Sequence, residues 1–86
     1  MASYHVEIAR SAAKDLRGID RQWIPRIVEA IETLDSDPRP PGCKKLVGSD
    51  YTYRLRIGDY RVVYEIQDDS LMILVVRVRH RRDVYR

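Results

Sequence analysis

The amino-acid sequence predicts an α+β fold: a β-α-α-β-β-β chain whose antiparallel sheet carries a two-helix hairpin on one face. Alternating apolar and polar residues flank Gly58-Asp59 on both sides, a pattern typical of a β-hairpin. Residues 24–34 have apolar side chains at helical spacing, and residues 71–78 form a strongly apolar strand. Because the chain has 86 residues, 44% of them apolar, we expect a single domain over residues 1–86.

The first half of the chain supplies one strand and both helices. Residues 3–8 alternate in polarity and predict a short strand. Ser11 is a candidate N-cap of the first helix, which Gly18 should end. Asp20 is the candidate cap of the second helix, and Pro25 should lie in its first turn, where a missing N–H costs least.

A loop then leads into the hairpin. Residues 36–42 contain three prolines and a glycine, which cannot continue a helix. We place the single cysteine, Cys43, in this loop as a small structural side chain, since one cysteine cannot form an internal disulfide. Residues 47–50 should turn the chain into the hairpin.

The hairpin at residues 51–66 has two chemically different faces. A type II′ turn at Gly58-Asp59 places Arg56 directly opposite Arg61. Like charges opposite each other destabilise a sheet, so a sequence that retains such a pair indicates a need for positive charge there. The apolar face carries Tyr53, Leu55, Ile57, Tyr60, Val62 and Tyr64, and the other carries Thr52, Arg54, Arg56, Arg61, Val63 and Glu65.

The register of the last strand decides where its charges lie, because a slip of one residue turns every side chain to the opposite face. The even-numbered residues form the cleaner apolar set, so we expect Met72, Leu74, Val76 and Val78 on the core face. This register places Arg77 beside Arg56 and Arg61, with Arg79 and Arg81 continuing in the same direction.

The charge distribution favours a polyanionic partner. The last 43 residues hold ten Lys and Arg against six Asp and Glu, whereas the first 43 are close to neutral. A clustered basic surface indicates nucleic acid or an acidic protein segment. There is no membrane-spanning run or signal peptide, so we expect a cytoplasmic protein. We expect no metal and no cofactor, because His5 and His80 lie far apart and the chain has one cysteine.

The arginine face has a plain interpretation and a chemical one. A row of exposed arginines is most often only a solvated surface. The same residues could bind phosphates through forked guanidinium donors and, together with Tyr85 near the chain end, could cleave RNA without a metal.

Four segments carry a resemblance to a known family: Lys45-Leu46-Val47-Gly48, Tyr53-Arg54-Leu55-Arg56, Gly58-Asp59-Tyr60-Arg61-Val62-Val63-Tyr64 and His80-Arg81-Arg82-Asp83-Val84-Tyr85. Together they resemble the RelE/ParE toxin superfamily, and within it the RelE-like mRNA interferases. The resemblance implies the toxin of a type II toxin–antitoxin system, which cleaves mRNA in the ribosomal A site and leaves a 2′,3′-cyclic phosphate. It implies a RelB-like antitoxin, the 70S ribosome and mRNA as partners, with no membrane and no DNA binding by the toxin alone.

The resemblance also implies roles for individual residues. Arg54 and Arg56 match two basic residues, commonly lysines, around the scissile phosphate, and Arg61 matches an arginine that stabilises the transition state. Arg81 matches the general acid and Tyr85 the general base. We expect further contacts to RNA phosphates from Lys44, Lys45, Arg77, Arg79 and His80, the last also an alternative proton donor.

Two alternatives remain open. A ParE-like toxin would share the fold and inhibit DNA gyrase without cutting RNA. A binding module would use its basic groove only to receive an acidic or amphipathic antitoxin segment. The terminal Arg-Arg-Asp-Val-Tyr segment, with the basic face behind it, favours the nuclease.

Overall fold

The structure is a computed structural model that describes residues 3–84. It consists of one sheet in the strand order β1-β5-β4-β3-β2, with helices on one face. The strands are β1 (His5–Ile8), β2 (Cys43–Lys45), β3 (Thr52–Ile57), β4 (Tyr60–Gln67) and β5 (Met72–His80). The helices are α1 (Arg10–Arg17), α2 (Ile24–Thr33) and the single turn α3 (Arg81–Val84). Between residues 3 and 84 there is no helix of sufficient length and apolarity to cross a membrane.

The predicted hairpin is confirmed, residue for residue. Arg56 pairs with Arg61, and Tyr53 pairs with Tyr64. Gly58 has a φ of +57° while Asp59 has a negative φ, as a type II′ turn requires. The predicted apolar face of the hairpin packs against the apolar side chains of α2 to form the core. The core includes Leu55, Tyr60, Val62 and Tyr64 from the hairpin and Ile27, Ile31 and Leu34 from the helix side.

The sheet differs from the prediction at both edges. Cys43 begins a fifth strand, β2, where we had predicted a loop, and it pairs antiparallel with β3. Three residues are too few to show an alternating pattern in the sequence. β1 pairs with β5 in parallel, so the sheet is mixed rather than purely antiparallel. This pairing joins segments more than 60 residues apart, and short-range patterns carry no information about its direction.

The predicted register of β5 was wrong in its first half. The buried residues there are Ile73 and Val75, not the even-numbered set, whereas Val78 is buried as predicted. Tyr64 pairs with Val75 and Val63 pairs with Arg77, so Val76 has no partner across the ladder. This bulge adds one residue to β5 and reverses its alternation. The odd-numbered residues therefore face the core before the bulge and the open face after it.

Helix α1 takes over from β1 as the neighbour of β5. β1 ends at Ile8, which would leave the outer edge of β5 without partners beyond Val75. Ser11 donates a hydrogen bond to the carbonyl of Val76 (2.6 Å), and the Asp15 carboxylate accepts one from the backbone N–H of Val78 (2.9 Å). Ser11 thus satisfies the sheet edge instead of capping its helix, which was our prediction for it. The cap position belongs to Ala9.

The start of α2 also lies later than predicted. Asp20 opens a turn, in which its carboxylate accepts from the Gln22 N–H at 3.2 Å, and α2 begins four residues on. Pro25 lies in the first turn of α2, as predicted.

Substitution of Asp15 should loosen the end of β5. Its side chain is 17% exposed and also pairs with Arg77, Oδ2 to Nε, at 3.0 Å. Asp15→Ala leaves the Val78 N–H unsatisfied and should cost about 2–3 kcal/mol, whereas Asp15→Asn keeps an acceptor and should cost about 1 kcal/mol. Urea unfolding measures both values. The Val78 amide should exchange faster with solvent in the alanine variant, and equal exchange in the two variants would contradict the bond.

A polar clasp joins the opposite end of the sheet to the proline-rich loop. Asp68 accepts hydrogen bonds from Tyr4 (2.6 Å) and from Arg39 (2.9 Å), and Arg39 also stacks on the ring of Tyr53. The bonds from Arg39 and Tyr4 lower the pKa of the Asp68 carboxyl. A lowered pKa in the folded state stabilises the fold above the unfolded pKa of about 3.9, and this contribution is lost as the pH falls through the folded value.

Asp68→Asn should therefore destabilise the protein at neutral pH, and its deficit should shrink as the pH falls below about 4. Urea unfolding between pH 2 and 7 tests this expectation, with Asp69→Asn as the matched control one residue away. A deficit that stays constant over this range, or one shared by both variants, would show that the clasp is not the cause.

Candidate functional site

Five cations converge on the open face of the sheet, and we call them the basic face: Lys44, Arg54, Arg56, Arg61 and Arg79. The ladders arrange them in two cross-strand rows. Arg56, Arg61 and Arg79 are neighbours on β3, β4 and β5, and Lys44 and Arg54 are neighbours on β2 and β3. Side chains opposite each other in a sheet have Cβ atoms about 5 Å apart. The rows therefore concentrate positive charge within the span of a few phosphates.

No described carboxylate neutralises the basic face. The ion pairs within 4.0 Å among the described side chains involve His5, Arg39, Lys45, Arg77 and Arg81, and none of the five members. Among the described residues, therefore, no carboxylate relieves their mutual repulsion, and a bound anion would. A surface of this kind raises the local concentration of polyanions.

Arg61 lies at the centre of the longer row and is buried, with 7% of its surface exposed. Its Nη1 donates long hydrogen bonds to the carbonyls of Tyr60 (3.2 Å) and Gly58 (3.4 Å). A buried charge without a counter-ion is costly, and a guanidinium has five N–H donors. The remaining donors are held in place for an anion that arrives from outside.

Comparison with known proteins identifies the family. The family model described as the ParE toxin of the type II toxin–antitoxin system parDE matches residues 6–85. The chain belongs to this toxin family. It is 35% identical to RelE1 of Methanocaldococcus jannaschii over 96% of both chains, and 32% identical to toxin RelG of Mycobacterium tuberculosis over 96% and 97%.

The fold of the toxin also matches a solved relative. The archaeal RelE–RelB complex from Pyrococcus horikoshii OT3 contains a chain with a TM-score of 0.81 and 28% identity, over 92% of this chain and 96% of that one. The predicted resemblance to the RelE/ParE superfamily and the predicted α+β class are confirmed. The chain is the toxin of a type II toxin–antitoxin system.

The basic face of the toxin contains half of the ten residues predicted for the site. It includes Arg54, Arg56 and Arg61 from the set with implied catalytic roles, and Lys44 and Arg79 from the expected phosphate ligands. The structure brings these five together, and it places four others elsewhere.

Arg77 and Arg81 are each tied to a carboxylate. Arg77 lies on the open face, as predicted, but it pairs with Val63 rather than lying beside Arg61, and its side chain is bound to Asp15 of α1 (3.0 Å). Arg81 begins α3, where its Nε lies 3.7 Å from Asp59 and its N–H donates to the Asp59 carbonyl. The residue across from Arg61 is instead Arg79. Because the strand ends at His80, the chain turns away before Arg81 reaches the basic face.

Lys45 and His80 point to the other face of the sheet. Lys45 pairs with core-facing Tyr53 and lies 3.9 Å from Asp50. His80 pairs with Tyr60, and the two rings meet edge to face with centroids 5.3 Å apart. Tyr85, the predicted general base, lies outside the described residues.

Sequence reasoning missed Asp15, which organises the end of β5 through both Val78 and Arg77. The available signal was its isolation as the one carboxylate among the residues of α1, beside three cations. Tyr64 cannot substitute for a base in the site, because it is buried and donates to the Pro38 carbonyl (2.8 Å) and to Cys43 Sγ. Burial, and then the contact with Cys43, raise the pKa of its hydroxyl.

Proposed function

We propose that this toxin is a metal-independent endoribonuclease that cleaves mRNA in the ribosomal A site and so inhibits translation. The observation that carries the proposal is the buried guanidinium of Arg61, which lies between Arg56 and Arg79 and has no ion-pair partner among the described side chains. A purely solvated surface would expose such a charge. The relatives named as RelE toxins, from Methanocaldococcus jannaschii and Mycobacterium tuberculosis, support the same proposal.

The proposed reaction is an internal transfer within the RNA. The 2′-oxygen bonds to phosphorus, the bond from phosphorus to the 5′-oxygen breaks, and the products are a 2′,3′-cyclic phosphate and a 5′-hydroxyl. One proton leaves the 2′-hydroxyl for a base, and one reaches the departing 5′-oxygen from an acid. Negative charge grows on the non-bridging oxygens in the transition state, where donors fixed in advance are most effective.

The basic face supplies the electrostatic part of this reaction. Arg61 and Arg56 would stabilise the phosphorane, while Arg54 and Lys44 would bind the flanking backbone. We assign Arg79 the place beside the leaving oxygen that the resemblance implied for Arg81, because Arg79 lies opposite Arg61. Tyr85 remains our proposed base.

We also propose a RelB-like antitoxin as the partner of this toxin in the cytoplasm. The similar solved structures include RelE–RelB complexes from Pyrococcus horikoshii and Mycobacterium tuberculosis. An acidic segment of the antitoxin would complement the basic face and exclude RNA from it. Operator binding would then belong to the antitoxin, so the toxin alone should give no DNA shift at moderate salt.

Primer extension on a translated mRNA tests the proposed function. We expect cuts at codon positions that appear only with ribosomes, that resist chelators, and that leave cyclic phosphate ends. The alternative is a ParE-like inhibitor of gyrase, which remains a candidate because the matching family model is described as the ParE toxin. Inhibition of gyrase supercoiling by purified toxin, with no cuts in the mRNA, would replace our proposal by that alternative.

A further inference from the structure

A second cluster of cations adjoins the basic face and shares Arg79 with it, in an open cleft between α1 and the end of β5. The cleft has a volume of about 620 Å³. Its polar lining comes from Ser11, Lys14 and Asp15 on α1 and from Arg77, Arg79 and His80 on β5. The cleft exists because β1 stops at Ile8 and a helix, which is broader than a strand, takes its place at the sheet edge.

The one carboxylate of this cleft is already engaged, whereas two of its cations have no partner among the described carboxylates. The Asp15 carboxylate binds Arg77 and the Val78 N–H, and the Ser11 hydroxyl donates to Val76. Lys14 and Arg79 have no carboxylate within 4.0 Å among the described side chains. The net charge of the lining is therefore positive even when its one carboxylate is counted.

His80 adds a ring N–H donor. Its Nδ1 accepts a hydrogen bond from the backbone N–H of Arg82 at 3.2 Å. Nε2 is therefore the ring nitrogen that can donate. The edge-to-face contact with Tyr60 holds the ring in this orientation. Lys14, Arg79 and His80 thus line one cleft with three kinds of N–H donor, Arg79 from the open face of β5 and His80 from its other face, and such donors suit the oxygens of phosphate groups.

Arg79 connects the two clusters. It is the cross-strand neighbour of Arg61 on the basic face, and it also lines the cleft. An RNA strand with one phosphate bound to Arg61 can therefore pass over Arg79 and reach the cleft without leaving the protein surface.

We propose that the cleft binds a second phosphate of the same RNA strand, beside the scissile one. This inference rests on the proposed function and adds a binding subsite to it. The residue specific to the subsite is Lys14, since it belongs to the cleft alone and is exposed on α1. The subsite would fix the direction of the strand across the basic face, because the cleft lies at only one side of the sheet.

Binding of uncleavable RNA tests the subsite. The probes are a fluorescent 2′-O-methyl tetranucleotide and a 2′-O-methyl dinucleotide with a single phosphate, titrated into the full-length toxin at low salt. Lys14→Ala should weaken tetranucleotide binding about tenfold, as expected for one charged hydrogen bond. It should also reduce the salt slope by about 0.7, the value for one phosphate of a single strand. Dinucleotide binding should not change.

Arg17→Ala is the matched control, because it removes the same charge from the same exposed helix surface but does not line the cleft. Its effect on either probe should be less than about twofold. Equal losses in the two variants, or an equal loss for both probes in Lys14→Ala, would overturn the subsite. Arg61→Ala distinguishes the phosphate site on the basic face from the subsite in the cleft. If Arg61→Ala weakens binding of the dinucleotide, while Lys14→Ala weakens binding of the tetranucleotide no more than Arg17→Ala does, only the subsite is wrong. If wild-type toxin binds neither probe, the subsite fails, whereas the proposed function is decided separately by primer extension with ribosomes.

Discussion

Arg61→Ala should reduce the rate of mRNA cleavage on the ribosome by about 10²–10³-fold, the usual loss when one pre-positioned donor to a developing oxyanion is removed. The effect is large because Arg61 is 7% exposed and is oriented by the carbonyls of its own turn, so its donors need no reorganisation during the reaction. The single-turnover rate with programmed ribosomes is the measurement. Arg61→Lys should restore only part of the rate, because an ammonium lacks the planar fork.

The fold should tolerate the loss of Arg61. Removal of one member of the row Arg56, Arg61 and Arg79 relieves repulsion between like charges, which offsets the lost packing, so the free energy of unfolding should change by no more than about 1 kcal/mol. Arg10→Ala is the control for net charge, since Arg10 is exposed on α1 away from the basic face. Cleavage by Arg61→Ala at the wild-type rate would remove the main support for the nuclease.

Among the Gly→Ala substitutions in this chain, Gly58→Ala should cause the largest loss of stability. Gly58 has a φ of +57°, and an added Cβ would clash with the ring of Trp23. Trp23 cannot retreat easily, because it also packs against Tyr60 with ring centroids 5.7 Å apart and lies beneath Arg26. The left-handed backbone costs about 1 kcal/mol and the overpacking about 1–3 kcal/mol, for a total of about 3 kcal/mol.

Thermal unfolding should show this loss as a fall in Tm of about 12–24 °C for a domain of this size. Gly48→Ala is the matched control, since Gly48 has a φ of +90° and no atom within 4 Å of an added Cβ. It should show the backbone cost alone. If the two variants were equally stable, the contact between the turn and Trp23 would contribute nothing.

The hairpin and its two faces could be predicted from the sequence because local rules specify them. A two-residue turn that begins with glycine determines which residues lie opposite one another, and alternation then separates Arg54 and Arg56 from the core. The same reasoning failed for β5, where the bulge at Val76 depends on the fit between distant segments. The first half of β5, residues 72–76, is entirely apolar and so has no polar residue that would have revealed the change of face.

The positive charge of the site could be predicted from the sequence, but only some of the residues that belong to the site could. The basic face follows from the hairpin, but the pair formed by Asp15 and Arg77 spans 62 residues and leaves no local pattern. Our assignment of Arg79 to the place first expected for Arg81 has a similar origin. It depends on where β5 ends and α3 begins, and the sequence from Arg79 to Arg82 is basic throughout.

The bonds from Ser11 and Asp15 to the edge of β5 have a consequence for the solubility of the free toxin. An unpaired strand edge can add a strand from another molecule and so start aggregation. Helix α1 blocks this edge where β5 extends beyond β1, and the two outermost strands are only four and three residues long. The outer strand β2 also carries Lys44 and Lys45 and follows a proline pair, two further features that oppose edge-to-edge association. A toxin built in this way can remain monomeric in the interval between its release from a partner and its arrival at a target.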